Sequence, residues 1–339
     1  MKTPLKSQST ENLRSWFENR HHPRYRVGQL LEWIYRHWAI EFDAMSNLPK
    51  ALRNELAGHF DLNSVQSVDC RGEKDGTRKT LYRLRDGETV ETVWIPSPRR
   101  RTVCLSTQVG CPIRCPFCAS GRDGFVRDLA PDEIVDQVIH EAAREEEAPN
   151  RIVVMGIGEP LLNYENVIEA LNVINAPGGM GIGARRITIS TCGIVPGIRR
   201  LSKEGKQWNL SVSLHAPDSE TRSVLVPAEN RYPLEEVLEA CQVYRDRTGR
   251  QVTFEYTLLK GINDSQKQAF QLASISRELD AKINLIPYNP VAGLPFECPD
   301  DGAIEEFVGN VEEKRGKITV RREKGGSIDA ACGQLRRRP

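Results

Sequence analysis

Apolar residues in the first sixty positions recur at the spacing of an amphipathic helix. Leu30 and Ile34 lie one helical turn apart, and Leu52 and Leu56 repeat the spacing after a polar break. An α-helix brings residues at this spacing onto one face, which then packs against a neighbouring element. The pattern therefore predicts a small N-terminal helical domain over residues 1–63.

Between residues 64 and 96 the pattern changes to short runs in which apolar and polar residues alternate, as in TLYRLRDGETVETVWI. Alternation with a period of two is typical of a strand that is buried on one face. The Asp86-Gly87 dipeptide stands between two such runs, and it is a strong signal for a tight hairpin turn. We expect a β-hairpin extension over residues 64–96.

From about residue 103 onward, short apolar runs alternate with amphipathic stretches. The predicted strands are Val103–Ser106, Ile152–Met155, Ile187–Ser190, Leu210–Leu214, Val252–Tyr256, Ile283–Ile286 and Ile318–Val320. A helix is predicted from Pro131 to Glu146, because proline favours the first helical turn and Asp132 and Glu133 suit the positive end of the helix dipole. Some six strand–helix repeats predict an α/β fold with a parallel sheet or an open barrel over residues 97–327. In such folds the chemistry lies at the carboxyl ends of the strands.

Composition narrows the class of protein. The 339 residues include 47 Lys+Arg and 46 Asp+Glu, with a mean hydropathy of −0.47. No apolar run approaches the ~20 residues of a membrane span, and the N-terminal segment lacks the apolar core of a signal peptide. We therefore expect a cytoplasmic protein without membrane contact. In that reducing compartment, clustered cysteines indicate metal, cluster or redox chemistry rather than structural disulfides.

Three of the nine cysteines stand close together after the first predicted barrel strand. Cys111, Cys115 and Cys118 have the spacing C-x3-C-x2-C, which lets one loop wrap a single metal centre. Thiolates favour iron–sulfur clusters or zinc. Structural zinc takes four protein ligands, and no second cysteine or histidine pair stands at a matching distance, so the spacing favours a 4Fe–4S cluster with one open iron and leaves zinc as the alternative.

The cysteine loop resembles the signature of the radical S-adenosylmethionine (SAM) superfamily, and further blocks resemble the RlmN/Cfr family of RNA adenine methyltransferases. These blocks are VETVWIP (90–96), CLSTQVGCPIRCPFCASG (104–121), MGIGEPLLN (155–163), ISTCGIVP (189–196), SVSLHAP (211–217), VTFEYTLLKGINDS (252–265), LIPYNP (285–290) and IDAACGQL (328–335). The resemblance implies an incomplete parallel (β/α)6 barrel with one 4Fe–4S cluster per chain. It further implies methylation of an adenosine ring carbon, with two SAM molecules used per turnover.

The resemblance also assigns SAM contacts. They are Gly158, Glu159, Ser190, Ser213, Leu214, His215 and Asn289. Each has an ordinary structural alternative: a tight turn for the glycine, a helix cap for the glutamate, strand-end caps for the serines and an Asn-Pro turn for the asparagine.

Two further cysteines gain roles only from the resemblance. Cys332, in the C-terminal segment 328–339, matches the cysteine that carries the methyl group as S-methylcysteine. Cys104 matches the resolving cysteine, which forms a transient disulfide with Cys332 and is a candidate acceptor of the ring proton. Glu91 matches a glutamate that is also a candidate acceptor, and the residues alone do not decide between the two. The structural alternative for Cys104 is a buried strand residue, and for Cys332 it is a free thiol on a flexible tail.

The expected substrate is large-subunit ribosomal RNA methylated at carbon 2 of adenosine, with tRNA as an additional candidate. The expected electron donor is a protein such as flavodoxin. Methylation at carbon 8, a radical SAM reaction on a different substrate and a non-catalytic metal-dependent RNA-binding module remain alternatives. Basic residues that could contact phosphates are Arg20, Arg24 and Arg26 in the helical domain and the clusters 99–101, 321–322 and 336–338. A solvated charged surface is the alternative for each cluster.

Overall fold

Strands from the hairpin extension and from the predicted barrel join in one sheet. The computed structural model describes residues 2–321 and 324–337. Its strands are β1 (Thr3–Pro4), β2 (Phe60–Asp61), β3 (Val65–Gly72), β4 (Arg78–Leu84), β5 (Thr89–Ser97), β6 (Arg100–Cys104), β7 (Gln108–Val109), β8 (Arg127–Asp128), β9 (Arg151–Val154), β10 (Ile187–Thr191), β11 (Asn209–Ser213), β12 (Thr253–Leu258), β13 (Lys282–Pro287) and β14 (Ile318–Val320). Its α-helices are α1 (Thr10–Glu18), α2 (Tyr25–Tyr35), α3 (Lys50–His59), α4 (Pro131–Glu145), α5 (Tyr164–Asn175), α6 (Val195–Leu201), α7 (Ser219–Leu225), α8 (Leu234–Thr248), α9 (Gln266–Glu278) and α10 (Asp301–Glu313).

The main sheet has the strand order β14-β13-β12-β11-β10-β9-β6-β5-β4-β3 within the described residues. The strands from β6 to β14 in this order are parallel, and β3, β4 and β5 continue the sheet with antiparallel pairing. Helices α4, α5, α6, α8, α9 and α10 connect the parallel strands. The predicted (β/α)6 architecture is thus confirmed, with β14 added after the sixth helix. The carboxyl ends of the parallel strands meet at one edge, as this topology requires.

The first barrel strand differs most from its predicted bounds. The apolar run predicts Val103–Ser106, whereas β6 covers Arg100–Cys104. Its polar beginning is a strand because it pairs with β5, from Ser97 opposite Arg100 to Val93 opposite Cys104. The predicted hairpin at Asp86-Gly87 does connect β4 to β5, but it is part of the main sheet, since backbone pairing continues from β5 into the barrel.

Helix α4 fits its sequence signals and joins the N-terminal helices to the barrel. The Glu133 side chain accepts a hydrogen bond from the Ala130 amide at 2.9 Å, and this caps the first turn. Asp136, on the buried face, pairs with Lys6 at 2.5 Å and accepts a hydrogen bond from the Ser64 amide at 2.5 Å. Buried charges need such partners, so these contacts fix the helical domain against the barrel.

His140 at this interface makes stability depend on pH. Burial lowers the pKa of His140 to about 4, although Asp136 acts in the opposite direction. The stabilising contribution of the neutral ring is complete above the unfolded pKa of about 6.5 and is lost as the pH falls towards 4. We expect the wild type to lose about 2 kcal/mol more unfolding free energy than His140→Asn between pH 7 and pH 5. Urea unfolding at both pH values measures this difference, and equal losses would contradict it.

Candidate active site

The three clustered cysteines line one cavity at the carboxyl ends of the parallel strands. Cys111, Cys115 and Cys118 lie in the loop between β7 and β8 and border a cavity of about 160 Å³. Burial raises the pKa of the Cys111 thiol to about 12, and burial together with the neighbouring thiols raises the pKa of Cys115. Thiolates here therefore need a bound cation, because a buried negative charge without a partner is costly.

The arrangement of these thiols fits a cluster better than a single ion. No group of three His, Cys, Asp or Glu side chains converges on a single-ion position anywhere in residues 2–321 and 324–337. A four-iron cluster is larger than one ion, and thiolates bound to its different corners lie farther apart than the ligands of zinc. The three cysteines of one loop, all facing the same cavity, fit three corners of such a cluster.

The glycine-containing loop after β9 forms another wall of this cavity. A Cβ atom at Gly156 would lie 2.6 Å from the Leu105 carbonyl oxygen, and one at Gly158 would lie 2.7 Å from the Gln108 Cβ. Gly158 also has a φ of +112°, which favours glycine. Both positions therefore require glycine, and the loop packs directly against the chain that leads into the cysteine loop.

Replacing Gly158 by Ala tests this packing. We expect the unfolding free energy to fall by about 1–3 kcal/mol, because the new methyl group clashes and the backbone conformation is strained. Gly183→Ala is the matched control, since no atom lies within 4 Å of its added Cβ. Urea unfolding of both variants measures the effect, and equal stability of the two would contradict the assignment.

Glu159 is buried and already has backbone partners. Its carboxylate accepts hydrogen bonds from the Cys192 amide at 2.7 Å and the Leu161 amide at 3.0 Å. Burial raises the pKa of Glu159, and these two donors act against that increase. A carboxylate oxygen can accept more than one hydrogen bond, so Glu159 retains capacity for a ligand ammonium group in the cavity that it lines.

The predicted strand-end residues divide into cavity-lining and buried positions. Ser190, Ser213 and His215 line the cavity of the cysteine loop. Leu214 is fully buried and is not a cavity-lining residue; its amide donates a hydrogen bond to the Glu255 carbonyl at 3.0 Å. Asn289 lines an adjoining cavity, and its side-chain amide donates to the Cys332 carbonyl at 3.2 Å.

His215 is held in one protonation state by its surroundings. The Thr257 amide donates a hydrogen bond to His215 Nδ1 at 3.0 Å. Burial, and then the nearby charge of Arg222, lower the pKa of His215 to about 3. A ring that accepts at Nδ1 is neutral and carries its proton on Nε2. His215 thus offers a hydrogen-bond donor and is a poor general base.

Cys104 and Cys332, which are 228 positions apart in the chain, line the same cavity of about 250 Å³. Both thiols are free in this structure. Burial, followed by the charge of Cys332, raises the pKa of Cys104 to about 12. Cys332 also borders the cavity of the cysteine loop, so the predicted methyl carrier lines both the cavity of its predicted resolving partner and the cavity of the predicted cluster ligands.

The C-terminal segment is tied to the cysteine loop by direct hydrogen bonds. The Ala119 amide donates to the Gly333 carbonyl at 2.8 Å, and the Ser120 hydroxyl donates to the Leu335 carbonyl at 2.8 Å. The backbone around Cys332 is therefore attached to the loop that carries the three clustered cysteines.

Arg321 lines the two cavities, which its basic sequence context alone does not predict. The sequence places it in a basic pair for RNA phosphates, but Arg321 lines both cavities, and its amide donates to the Leu285 carbonyl at 2.8 Å. The charges of Cys332, and then of Glu255 and Cys104, raise the pKa of Arg321. Sequence analysis overlooked Glu255 as well, although a lone carboxylate in the apolar strand β12 was an available signal.

The remaining basic residues vary in exposure. Arg99, Arg100 and Arg20 are exposed, while Arg101 pairs with Glu147 at 2.9 Å. Further pairs join Arg24 to Glu18, Arg336 to Asp123 and Arg337 to Glu88, and Arg26 donates to the Asn47 carbonyl. Arg322 and Arg338 lie outside the described residues. Arg336 and Arg337 therefore attach the C-terminal segment to the rest of the protein.

Comparison with known proteins decides the family. Residues 105–273 match the radical SAM superfamily, and residues 3–62 match the ribosomal RNA large subunit methyltransferase N-terminal domain. The chain is 45% identical to the probable dual-specificity RNA methyltransferase RlmN of Gloeobacter violaceus, over 100% of this chain and 96% of that protein. The chain belongs to the RlmN family of radical SAM RNA methyltransferases. Membership in the RlmN family implies a 4Fe–4S cluster and SAM.

Other RlmN relatives and a solved structure agree with this assignment. The probable dual-specificity RNA methyltransferase RlmN 3 of Opitutus terrae is 43% identical over 99% of this chain and 94% of its own length. A crystal structure of a radical SAM methyltransferase from Sphaerobacter thermophilus is 43% identical and has a TM-score of 0.94, covering 98% of this chain and 99% of that one. The predicted fold class is confirmed. No helix in the described part of the chain is long and apolar enough to span a bilayer.

Proposed function

We propose that this protein methylates carbon 2 of an adenosine in large-subunit ribosomal RNA, with tRNA as a second substrate. The observation that carries the proposal is the cavity shared by Cys104 and Cys332, which adjoins the cavity of Cys111, Cys115 and Cys118. An N-terminal domain matched to ribosomal RNA methyltransferases and relatives named for dual-specificity RNA methylation support the choice of RNA. Carbon 2 is the position expected from the family resemblance, and carbon 8 is the alternative.

Cys111, Cys115 and Cys118 would hold one 4Fe–4S cluster per chain. When bound, the cluster would supply the electron for reductive cleavage of SAM. Glu159 would accept a hydrogen bond from the SAM ammonium group, and the neutral His215 ring would donate one from Nε2. Gly158, Ser190 and Ser213 complete the binding wall. Leu214 contributes through its backbone, and Asn289 orients SAM or the Cys332 backbone that it contacts.

Cys332 first acts as a nucleophile. Its thiolate attacks the methyl carbon of one SAM molecule, the carbon–sulfonium bond breaks, and S-adenosylhomocysteine leaves with the bonding electron pair. Arg321 stabilises the thiolate, because it lines the same cavity and the charge of Cys332 raises its pKa. The radical derived from a second SAM then abstracts one hydrogen atom from the S-methyl group, and the remaining methylene radical adds to the adenine carbon.

Release of the product uses Cys104. After the adduct has lost the ring proton and has passed one electron to the oxidised cluster that the three loop cysteines would hold, the Cys104 thiol gives up its proton and its sulfur attacks the Cys332 sulfur to form a disulfide. The electron pair of the broken carbon–sulfur bond stays with carbon, which takes up a proton and becomes the new methyl group. An external reductant then restores both thiols, which suits a cytoplasmic enzyme, and a protein such as flavodoxin supplies the electron for SAM cleavage.

The two candidate acceptors of the ring proton differ in position. Cys104 lines the cavity, but its raised pKa keeps the thiol protonated near neutral pH. The Glu91 carboxylate is buried, pairs with Lys79 at 3.1 Å and accepts a hydrogen bond from the Arg336 amide of the C-terminal segment. The covalent protein–RNA adducts formed by Glu91→Gln and by Cys104→Ala distinguish the two candidates. The variant that lacks the true proton acceptor should give an adduct that still carries the ring proton.

The proposal is tested by anaerobic incubation of the reconstituted protein with SAM, a reductant and ribosomal RNA that lacks the modification. Mass spectrometry of the digested RNA, with 2-methyladenosine and 8-methyladenosine as standards, should detect 2-methyladenosine. An 8-methyladenosine product would show that carbon 8, and not carbon 2, is the methylated position. Accumulation of 5′-deoxyadenosine without any methyladenosine would contradict RNA as the substrate.

A further inference from the structure

A buried ion pair lies beside the segment that carries Cys332. Lys79 on β4 and Glu91 on β5 approach to 3.1 Å, with side chains only 3% and 2% exposed. In the antiparallel register Lys79 stands opposite Val93, and Glu91 stands opposite Leu81. The two charged residues are therefore diagonal neighbours on one face of the sheet.

This pair contacts the segment on both sides of Cys332. The Lys79 ammonium donates a hydrogen bond to the Asp329 carbonyl at 2.9 Å, three residues before Cys332. The Glu91 carboxylate accepts a hydrogen bond from the Arg336 amide at 2.9 Å, four residues after it. One ion pair on the sheet thus holds both ends of the loop that presents the thiol.

A buried ion pair is a poor device for stability alone, because desolvation of two charges offsets most of their attraction. Its directional hydrogen bonds do fix positions. Gly325, before the loop, and Gly333, next to Cys332 within it, have positive φ angles of 82° and 85°. Held by the pair, the loop keeps the Cys332 sulfur in the cavity that Cys104 also lines.

We propose that Lys79 is a positioning residue for Cys332, acting with Glu91 as a two-point clamp on residues 329–336. The clamp is a property of the fold, and its catalytic meaning rests on the proposed methyl-carrier role of Cys332. Glu91 thereby has a role that does not depend on proton acceptance.

The test measures the mobility and access of the loop in the reconstituted holoenzyme. Lys79→Met combined with Glu91→Met removes both contacts without leaving a single charge buried. We expect iodoacetamide to alkylate Cys332 at least tenfold faster, and the Arg336 amide to exchange hydrogen at least tenfold faster, while exchange in β12 is unchanged. Lys79→Arg alone, which retains a cationic donor beside Glu91, should keep the alkylation of Cys332 as slow as in the wild type. Lys317→Met with Asp280→Asn is the control, because it removes an exposed ion pair.

Unchanged alkylation of Cys332 and unchanged exchange at Arg336 in the double variant would overturn the clamp. The wild type offers a second test that needs no variant: exchange of the Arg336 amide at the rate of an unstructured peptide would also overturn it. Both readouts are independent of RNA methylation. If the wild type forms no methyladenosine, the proposed function fails while the clamp is still judged by its own measurements.

A parallel activity assay separates positioning from general destabilisation. In an enzyme that methylates RNA, Lys79→Met, which retains Glu91 as a candidate proton acceptor, should lose kcat at least tenfold with KM for RNA changed less than twofold, because the Lys79 side chain is buried. A rise in KM with unchanged kcat would contradict a positioning role for Lys79.

Discussion

Replacing Cys332 by Ala should abolish methylation of adenosine, with a loss of roughly 10⁴-fold or more. The thiol is the only group in the proposed mechanism that carries the methyl carbon to the ring, and alanine offers no nucleophile. Nucleoside mass spectrometry after anaerobic turnover measures the loss. The variant should retain its iron and sulfide, because Cys332 is separate from the three cysteines that hold the cluster.

Cys70→Ala is the control for this substitution. Cys70 is an exposed thiol on β3, outside both cavities, and its loss should leave methylation within twofold of the wild type. Methyladenosine formed by Cys332→Ala at more than a few per cent of the wild-type rate would exclude Cys332 as the methyl carrier.

Replacing Cys104 by Ala should trap the protein on its RNA. Without the second thiol, nothing attacks the Cys332 sulfur, so the bond between the protein and the adenine carbon persists. We expect a covalent complex on a denaturing gel with labelled RNA, and turnover lowered by roughly 10³-fold or more.

The double variant Cys104→Ala with Cys332→Ala supplies the control, because it lacks the atom that forms the bond and should give no complex. Normal release of methylated RNA by Cys104→Ala would show that another group resolves the adduct. A complex formed by the double variant would show that attachment does not involve Cys332.

Local sequence patterns were sufficient to predict the strands and helices of the barrel, but not the continuation of its sheet into the antiparallel strands. The proline and acids at the start of α4 and the apolar runs of β9 to β14 report local structure, so their positions were predicted to within a few residues. The pairing of β5 with β6 was not predicted, because residues 100–102 are polar and form a strand only through hydrogen bonding to β5.

The juxtaposition of Cys104 and Cys332 is a long-range property that periodicity cannot reveal. It was expected only from the family resemblance. Arg321 shows the same limit, since two adjacent arginines suggest a phosphate contact, and only the fold shows that the first of them lines the cavity. Lys79 was missed because its diagonal relation to Glu91 depends on strand register.

The most direct test of the central claim follows the methyl hydrogens. Anaerobic turnover with SAM that carries a trideuterated methyl group should give methyladenosine with two deuterium atoms, because the third is abstracted from the S-methyl group of Cys332 and appears in 5′-deoxyadenosine. A product that retains all three deuterium atoms would show direct methyl transfer and would contradict the account.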